Sequence, residues 1–496
     1  MKQYFIIPVL ITISFLTGCM ALGPDYKKPD TDAFVEKEWL NAEKKSLEPT
    51  LPLEVKWWNN AFHDETLNHL VEMALSENLS LRSAGLRVLQ ARQKLAIAVG
   101  SQYPQTQALQ GSAQNGTTSP YSSSHQQYGT EFNLSWEVDV WGRFQRQIES
   151  ASAELDVSVA DYDGVMISLV SEVAQNYLLI RTTQLRLKLA RDNLKLQQES
   201  LRITEAKFKN GEVSGLDSEQ AKTLLYNTQA TISMLEPTLQ QLKNSLAILL
   251  GKAPYDMTDL LSKNQGMPSM ENNVSVGIPQ NLLRRRPDIR SSERQLAAQS
   301  AQIGYAVTEL YPHFNIGGVI STNADSSGSD LFRSENSNWN SFIAFDWNIF
   351  NYGRLKSNIR LQDALFQQGL EDYHQTVLEA QGEVENAIVA FTASKQQVVD
   401  YTQAVDASQN AATLSQMQYK NGLVNFNTVI TILQTLAYQQ DIWVQTKGNT
   451  ATDLINIYKS LGGGWEIRNN QDPVDFLPQK MKDEMKVRTS EWKDTL

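Results

Sequence analysis

The side chains that most often do chemistry in proteins are scarce in this chain of 496 residues. It holds one cysteine and five histidines, and the histidines form no H-E-x-x-H or comparable ligand cluster. There is no G-x-S-x-G nucleophile motif, no phosphate-binding glycine loop, and no pair of carboxylates that spacing alone would place together. A single cysteine excludes a disulfide framework and a zinc site of several cysteines. The sequence therefore predicts neither an enzyme nor a metal or cofactor site.

The single cysteine is the exception, because its position predicts a covalent modification. An apolar stretch from Tyr4 to Leu16 has the length of a signal-peptide core and is too short for the roughly 20 residues of a membrane-spanning helix. It ends in Leu16-Thr17-Gly18-Cys19, which resembles the bacterial lipobox, in which the cysteine thiol is acylated. We predict a lipoprotein signal peptide over 1–18 and a lipid on Cys19. An ordinary signal peptide with a chance cysteine is the alternative.

Composition limits the possible partners. Lys plus Arg total 44 against 55 Asp plus Glu, and the net charge of −11 argues against sequence-independent binding of nucleic acid. No later stretch of about 18 apolar residues is present, so any crossing of a bilayer must be made by strands.

The elements that would position any site occur twice. A shift of 211 residues places Trp136 on Trp347 and Lys209-Asn210-Gly211 on Lys420-Asn421-Gly422, and a shift of 208 places Tyr103-Pro104 on Tyr311-Pro312. The chain is therefore a tandem duplication. We assign a lipidated N-terminal segment (19–62), a first repeat (63–261), a linker (262–276), a second repeat (277–465) and a C-terminal tail (466–496).

Each repeat contains an alternating segment that predicts a strand with one apolar and one polar face. The first runs from Tyr128 to Val138 and the second from Ile343 to Ile349, while 103–114 is polar and less clear. If the strands cross a membrane, the side chains that face lipid are Phe132, Leu134, Trp136, Ile343, Phe345 and Trp347. A soluble sandwich would give the same alternation. Two hairpins cannot close a pore, because the smallest barrels need about eight strands, so several chains would have to contribute.

Two long segments show coiled-coil spacing, with an apolar residue at every seventh position. Residues 142–209 and 353–421 contain no Pro, so each could form a helix of about 100 Å. An ordinary two-helix coiled coil is the alternative, but it would leave the strands and the duplication unexplained. The residues are Val159, Met166, Val173, Ile180, Leu187, Leu194, Leu201 and Phe208, and in the second repeat Leu370, Val377, Val384, Phe391, Val398, Val405, Ala412 and Tyr419.

Three motifs give the chain a family resemblance. They are Trp57-Trp58 before Phe62, the stretch from Ile278 to Ile289 with Arg285-Arg286-Pro287-Asp288, and the closing Tyr458-Lys459-x-Leu461-Gly462-Gly463-Gly464-Trp465. In this order, behind a lipobox and on a duplicated chain, they resemble the outer-membrane efflux proteins of the TolC type. The resemblance is to the lipidated OprM-like (NodT-type) branch that serves resistance-nodulation-division (RND) pumps, and it runs from about residue 57 to 465.

This resemblance implies an α+β membrane protein. It implies a homotrimer in which four strands per chain complete a shared twelve-stranded β-barrel, continued by a long α-helical coiled-coil barrel. The chain would lie in the outer membrane, in contact with its lipid, and extend into the periplasm as a passive exit duct for small molecules. An inner-membrane RND pump and a periplasmic adaptor (membrane fusion) protein would be its partners. No nucleic acid and no cofactor beyond the lipid on Cys19 are implied.

The resemblance also assigns a periplasmic mouth at the two glycine turns. Asp217 matches an acidic family position and Tyr419 a tyrosine, whereas Gln418 stands where the family has a basic residue and Thr431 where it has an aspartate. These two departures argue against the family's usual salt-bridge lock at these positions, and we expect the mouth to be held mainly by hydrogen bonds and packing. The adaptor is expected to contact the hairpin tips, which are Gly211, Glu212, Val213, Ser214, Gly422, Leu423, Val424 and Asn425.

Alternative functions differ in class. The same fold could serve type I protein secretion or heavy-metal export, although the helices carry no methionine cluster of the kind that suits copper or silver. A periplasmic lipoprotein enzyme without a channel is the least supported alternative, since no catalytic motif is present.

Overall fold

The computed structural model describes residues 21–31, 33–36, 38–41, 47–48, 55–116, 125–254, 258–261, 266–270, 274–275, 279, 283, 285–325 and 327–496. The predicted signal peptide, Cys19 and most of the predicted linker lie outside the described residues. Two compact units are present. The described residues of one unit fall within Met1–Asp30, Arg87–Val159 and Ser291–His374, and those of the other within Thr31–Leu86, Ala160–Arg290 and Gln375–Leu496. Each unit thus contains corresponding segments of both repeats.

Helices dominate, and the two repeats carry the same order of elements. In chain order the elements are β1 (Leu47–Glu48), α1 (Trp57–Phe62), α2 (Glu65–Glu77), α3 (Leu79–Gly100), β2 (Thr106–Gly116), β3 (His125–Val138), α4 (Arg143–Lys209), α5 (Gly215–Leu249), α6 (Thr258–Leu261), β4 (Val274–Ser275), α7 (Pro287–Thr308), β5 (His313–Asp325), β6 (Ser337–Asp346), α8 (Arg354–Lys420), α9 (Phe426–Ser460) and α10 (Gln479–Arg488). Among the described residues, no helix has the length and hydropathy to cross a membrane.

The first unit contains an antiparallel sheet of four strands in the order β2-β3-β5-β6. Each repeat contributes one hairpin, and β3 pairs with β5 to join the two, with Trp136 opposite Ile316. The unclear segment 103–114 is thus largely a strand. The predicted two hairpins and the α+β fold class are confirmed.

One face of this sheet is apolar across all four strands. Residues directly opposite each other project to the same face, so Leu109, Phe132, Ile320 and Trp339 share a row of side chains. These side chains remain exposed in the single chain, with Leu109 and Trp339 each at 79%. The predicted face residues Phe132, Leu134, Trp136, Ile343 and Phe345 all lie on it.

The second alternating segment ends earlier than predicted. Strand β6 stops at Asp346, so Trp347 and Ile349 follow the strand. Pro312 precedes the partner strand β5 and has no N–H for a further ladder bond. The amide of Ile349 instead donates to the carbonyl of Trp347 at 3.0 Å, which turns the chain.

The repeats differ by one residue ahead of their first strands. Thr106 lies opposite Ser135, and His313 lies opposite Asp346. Since Ser135 and Asp346 are equivalent positions in the 211-residue shift, Thr106 is the equivalent of His313. The shift of 208 predicted for this region therefore holds for helices α3 and α7 but becomes 207 in the strands.

Each of the two proline-free segments forms a single helix of 67 residues, as predicted. The central heptad positions are buried in the second unit, including Val173 and Ile180 on α4 and Val384 and Phe391 on α8. Phe208, at the end of the first series, is 50% exposed. The seven-residue spacing therefore marks packing positions in the middle of each helix.

The three motifs that carry the family resemblance pack against one another in the second unit. The Trp57 ring stacks on Tyr458 with centroids 4.9 Å apart. Arg286 donates to the Ser460 carbonyl at 2.7 Å. Gly462, at φ 73°, packs so closely that a Cβ would lie 3.1 Å from Cγ of Arg286. Motifs far apart in the chain thus form a single packed cluster.

A buried ionic cluster holds the start of the C-terminal tail in the same unit. Asp163 is fully buried and accepts from Arg468 Nε at 2.9 Å and Arg290 Nη1 at 3.1 Å. Burial raises the pKa of Asp163, and the guanidinium groups of both arginines oppose that shift. The Arg290 guanidinium also lies 4.7 Å from the centroid of the Trp465 ring. Farther along, Leu477 packs against Gly85 of α3.

Replacing Asp163 with Ala should destabilise the protein, because it leaves two guanidinium groups without their shared carboxylate. Removing one partner of a buried ion pair costs about 3–5 kcal/mol. We expect a lower denaturation midpoint in detergent, measured by circular dichroism. The exposed Glu154 on the same helix, changed to Ala, is the control. Equal midpoints for the two variants would contradict the assigned role.

Candidate functional site: the helical hairpin tips

Both helical hairpins reverse at a glycine in the left-handed region. Gly211 has φ 76° and Gly422 φ 75°. The amide of Gly211 donates to Phe208 and that of Glu212 to Lys207, both at 2.9 Å. Gly422 and Leu423 repeat the pattern in the second hairpin. This pair of backbone hydrogen bonds closes the C-terminus of the helix. It requires a positive φ, which glycine adopts without strain. Helix reversal at these two glycines was predicted and is present.

The next helix of each hairpin begins at a capped residue, which makes the turns short. The Ser214 hydroxyl accepts from the Leu216 amide at 3.1 Å, and the Asn425 side chain accepts from Thr428 at 3.0 Å. Leu423 is 72% exposed, whereas Val424 packs against the apolar cluster below it. The tips thus offer a short exposed surface on a rigid support.

Tyr419 lies in that cluster and connects the two hairpins. Its ring is 5.3 Å from Phe426, the Lys207 ammonium lies 5.5 Å from its centroid, and its hydroxyl is 3.5 Å from the Thr204 hydroxyl. Burial raises the pKa of Tyr419, so it stays a neutral phenol near neutral pH. The other buried members are Ala221, Leu224, Ala412, Phe426, Val429, Ile430, Leu433 and Leu436.

The other predicted mouth residues lie around this cluster in different settings. Asp217 is half-buried in the first turn of α5, and its charge contributes to the raised pKa of Tyr419. Gln418 and Thr431 are exposed on α8 and α9, and the Thr431 hydroxyl donates to the Asn427 carbonyl at 2.8 Å. Their role at an assembled mouth stays a prediction.

Sequence reasoning missed an ion pair between the hairpins, farther from the tips. Arg186 on α4 makes a two-nitrogen contact with Asp441 on α9, at 2.7 Å and 3.1 Å. The equivalents of these residues in the other repeat are Gln397 and Ala230, so the pair occurs once. The sequence does carry a signal for this ion pair, because Arg186 and Asp441 are charged whereas their equivalents in the other repeat are not.

A polar layer lies beside this ion pair. Asn193 on α4 donates to Gln440 on α9 at 2.8 Å, and Gln440 donates to Gln409 on α8 at 3.3 Å. Three helices are therefore joined by directional bonds between side chains that lie outside the heptad series. Such bonds fix the register of the helices and can be exchanged for bonds to water when the helices separate.

Tyr419→Ala should loosen both tips, whereas Tyr419→Phe should change little. Removing a buried aromatic side chain costs about 3–5 kcal/mol, while the hydroxyl contact is long and adds little. We expect faster amide hydrogen exchange at the start of α9 for the Ala variant, measured by mass spectrometry. Tyr438→Ala, at a 64% exposed position of α9, is the control. Equal effects of Phe and Ala would assign the main role to the hydroxyl instead.

Comparison with known proteins identifies the family. The model of a family described as outer membrane efflux protein matches residues 70–252 and 278–463. The toluene efflux pump outer membrane protein TtgI of Pseudomonas putida is 29% identical over 481 residues, covering 93% of this chain and 98% of that protein. The cation efflux system protein CusC of Escherichia coli is 26% identical over 462 residues, covering 92% and 99%.

Solved structures agree with this match. The structure of the outer-membrane channel OprN superposes with a TM-score of 0.83 at 30% identity, covering 90% of this chain and all of that one. The predicted resemblance, channel fold and outer-membrane location are confirmed. This chain is an efflux channel of the outer membrane and belongs to the outer membrane efflux protein family.

Proposed function

We propose that three copies of this chain share one barrel and form a passive exit duct for small amphiphilic molecules. The observation that carries the proposal is the four-stranded sheet, in which β2 and β6 are edge strands of 11 and 10 residues beside an exposed apolar face. Long open edges with exposed apolar side chains need partners, and four strands are too few to enclose a pore. Three chains would supply twelve strands and leave no edge.

Cys19 is proposed to carry the lipid, and its position in the chain suits that role. The described chain begins two residues later, where the Leu22 amide donates to the Trp141 carbonyl at 3.0 Å. Arg146 Nε donates to the Leu22 carbonyl at 3.0 Å, and Arg146 also contacts Asp25 at 3.0 Å. These contacts hold the segment next to the end of β3. An acyl chain on Cys19 would be joined to the protein three residues before Leu22.

The partners are proposed to be a periplasmic adaptor and an inner-membrane RND pump. The exposed tip residues, including Glu212 and Leu423, form the surface that an adaptor would contact. An adaptor that binds separated hairpins better than closed ones would shift the population toward an open mouth. Opening would be a shear of packed helices, with the bonds from Arg186 and Asn193 resisting it. The chain itself would do no chemistry.

Cargo could be of two kinds, and the two relatives differ on this point. TtgI is named for toluene and CusC for cations, at 29% and 26% identity. We favour small amphiphiles, in keeping with the lipidated branch that the motifs resemble. Cation export is the second candidate, because the relationship to CusC extends over 92% of this chain.

A deletion strain should separate the two candidates. We expect the strain to accumulate a fluorescent amphiphilic dye and to resist toluene poorly, with both defects restored by a plasmid copy of the gene. Accumulation of copper or silver without a change in dye retention would favour cation export. A strain with normal retention of both cargo classes would contradict the efflux proposal.

Breaking the pair of Arg186 and Asp441 should raise the conductance of the resting channel. Both side chains are partly exposed, at 21% and 37%, so the pair is worth only about 1 kcal/mol, or about a fivefold shift in an equilibrium. We expect Arg186→Gln, Asp441→Asn and the double variant to raise conductance in planar bilayers by similar amounts. Arg202→Gln, which removes an exposed pair within α4, is the control. Additive effects of the two single variants would contradict a coupled lock.

A further inference from the structure

The internal duplication allows the contact between copies to be derived from a contact within one chain. We infer that β6 of one copy pairs with β2 of a second copy in the register that β3 and β5 already show in the single chain. The inference rests on the proposed shared barrel and specifies which residues meet at each of its seams between copies.

Each strand of the first repeat has an equivalent strand in the second. Strand β3 corresponds to β6 by the shift of 211, so Phe132 is equivalent to Ile343. Strand β2 corresponds to β5 by the shift of 207 found above, so Ala113 is equivalent to Ile320. The same shift places Gly111 on Gly318, a glycine at the same point of both strands. The pair of β3 with β5 is therefore the internal counterpart of β6 with β2.

Through this equivalence, the register of β3 with β5 gives the register of β6 with β2 of a second copy. Phe132 lies opposite Ile320, and Leu134 lies opposite Gly318. The transferred pairs are Ile343 with Ala113 and Phe345 with Gly111 of the second copy. Every pair joins residues of the same apolar face, so the face would continue without a step across the seam.

At the ends of the strands, the seam within the chain and the seam between copies differ in charge. Within the chain, Arg143 contacts Glu137 at 2.9 Å, Glu309 at 3.2 Å and the Tyr305 hydroxyl at 2.9 Å. His313 also contacts Glu137 at 2.9 Å. This seam is an ionic cluster that ties the first repeat to the second.

The equivalent seam between copies lacks these carboxylates. Arg143 corresponds to Arg354, Glu137 to Asn348, Glu309 to Ser101 and Tyr305 to Ile97. Ile97 is 70% exposed in the single chain, as expected for an apolar residue that a second copy covers. The seam between copies would therefore depend on strand pairing and apolar contact, and the seam within the chain on ion pairs.

Disulfide cross-linking tests the register, because the natural chain has one cysteine, Cys19, whose thiol a lipid would block. Directly opposite residues have Cβ atoms about 4.5–5.5 Å apart, against about 7–8 Å for diagonal neighbours. We would combine Ile343→Cys with Ala113→Cys in the full-length protein and oxidise it in membranes. The matched control within one chain is Phe132→Cys with Ile320→Cys. The shifted control is Ile343→Cys with Asn115→Cys, and the single variants report any contribution of Cys19.

We expect the pair at 343 and 113 to give reducible products of two and three chains, in higher yield than the shifted pair. The control pair at 132 and 320 should give a disulfide within one chain. Products from the shifted pair alone would overturn the register and leave the shared barrel standing. If the internal control forms its disulfide and neither other pair gives products of several chains, both the inference and the shared barrel fail.

Discussion

A strand in a bilayer must have its backbone amides and carbonyls paired with another strand, because hydrocarbon offers no hydrogen-bonding partner. This chain carries four strands in one sheet, and the outer two are open in the single chain. The apolar face of that sheet excludes a simple soluble role for it, and the open edges exclude a finished pore. An assembly of copies resolves both demands at once. The long helices and their hairpin tips then form part of a channel wall that several copies complete together.

Because the chain is duplicated, equivalent surfaces can form contacts within one chain and contacts between copies. The two kinds of contact differ where the sequences of the two repeats differ. Equal helices of 67 residues and equal second helices of 35 residues give each repeat the same length of wall. Charge then breaks the symmetry. The pair of Arg186 and Asp441 and the cluster around Arg143 each occur once, within the chain. These ion pairs thus join the two repeats within one chain, whereas in the proposed assembly apolar contact would join the copies.

Much of this architecture could be predicted from the sequence, because it depends on periodic patterns. Alternation in 128–138 and glycine at 211 and 422 each correspond to one local geometry, and the structure has it. The sequence pattern placed Trp347 on the strand because the alternation of apolar and polar residues continues to Ile349. The hydrogen-bonded ladder between β5 and β6 ends at Asp346, since Pro312, just before β5, has no N–H. Strand β2 was unclear because most of its side chains are polar. The pair of Arg186 and Asp441 was missed because residues 255 apart come together only when two hairpins pack.

In the proposed assembly, several chains share one barrel. Native mass spectrometry of the intact particle, after removal of bound detergent, gives the number of chains in it. The shared barrel requires the mass of three lipidated chains. A stable particle with the mass of one chain would contradict it, and the sheet and helices would then have to be explained as parts of a monomer.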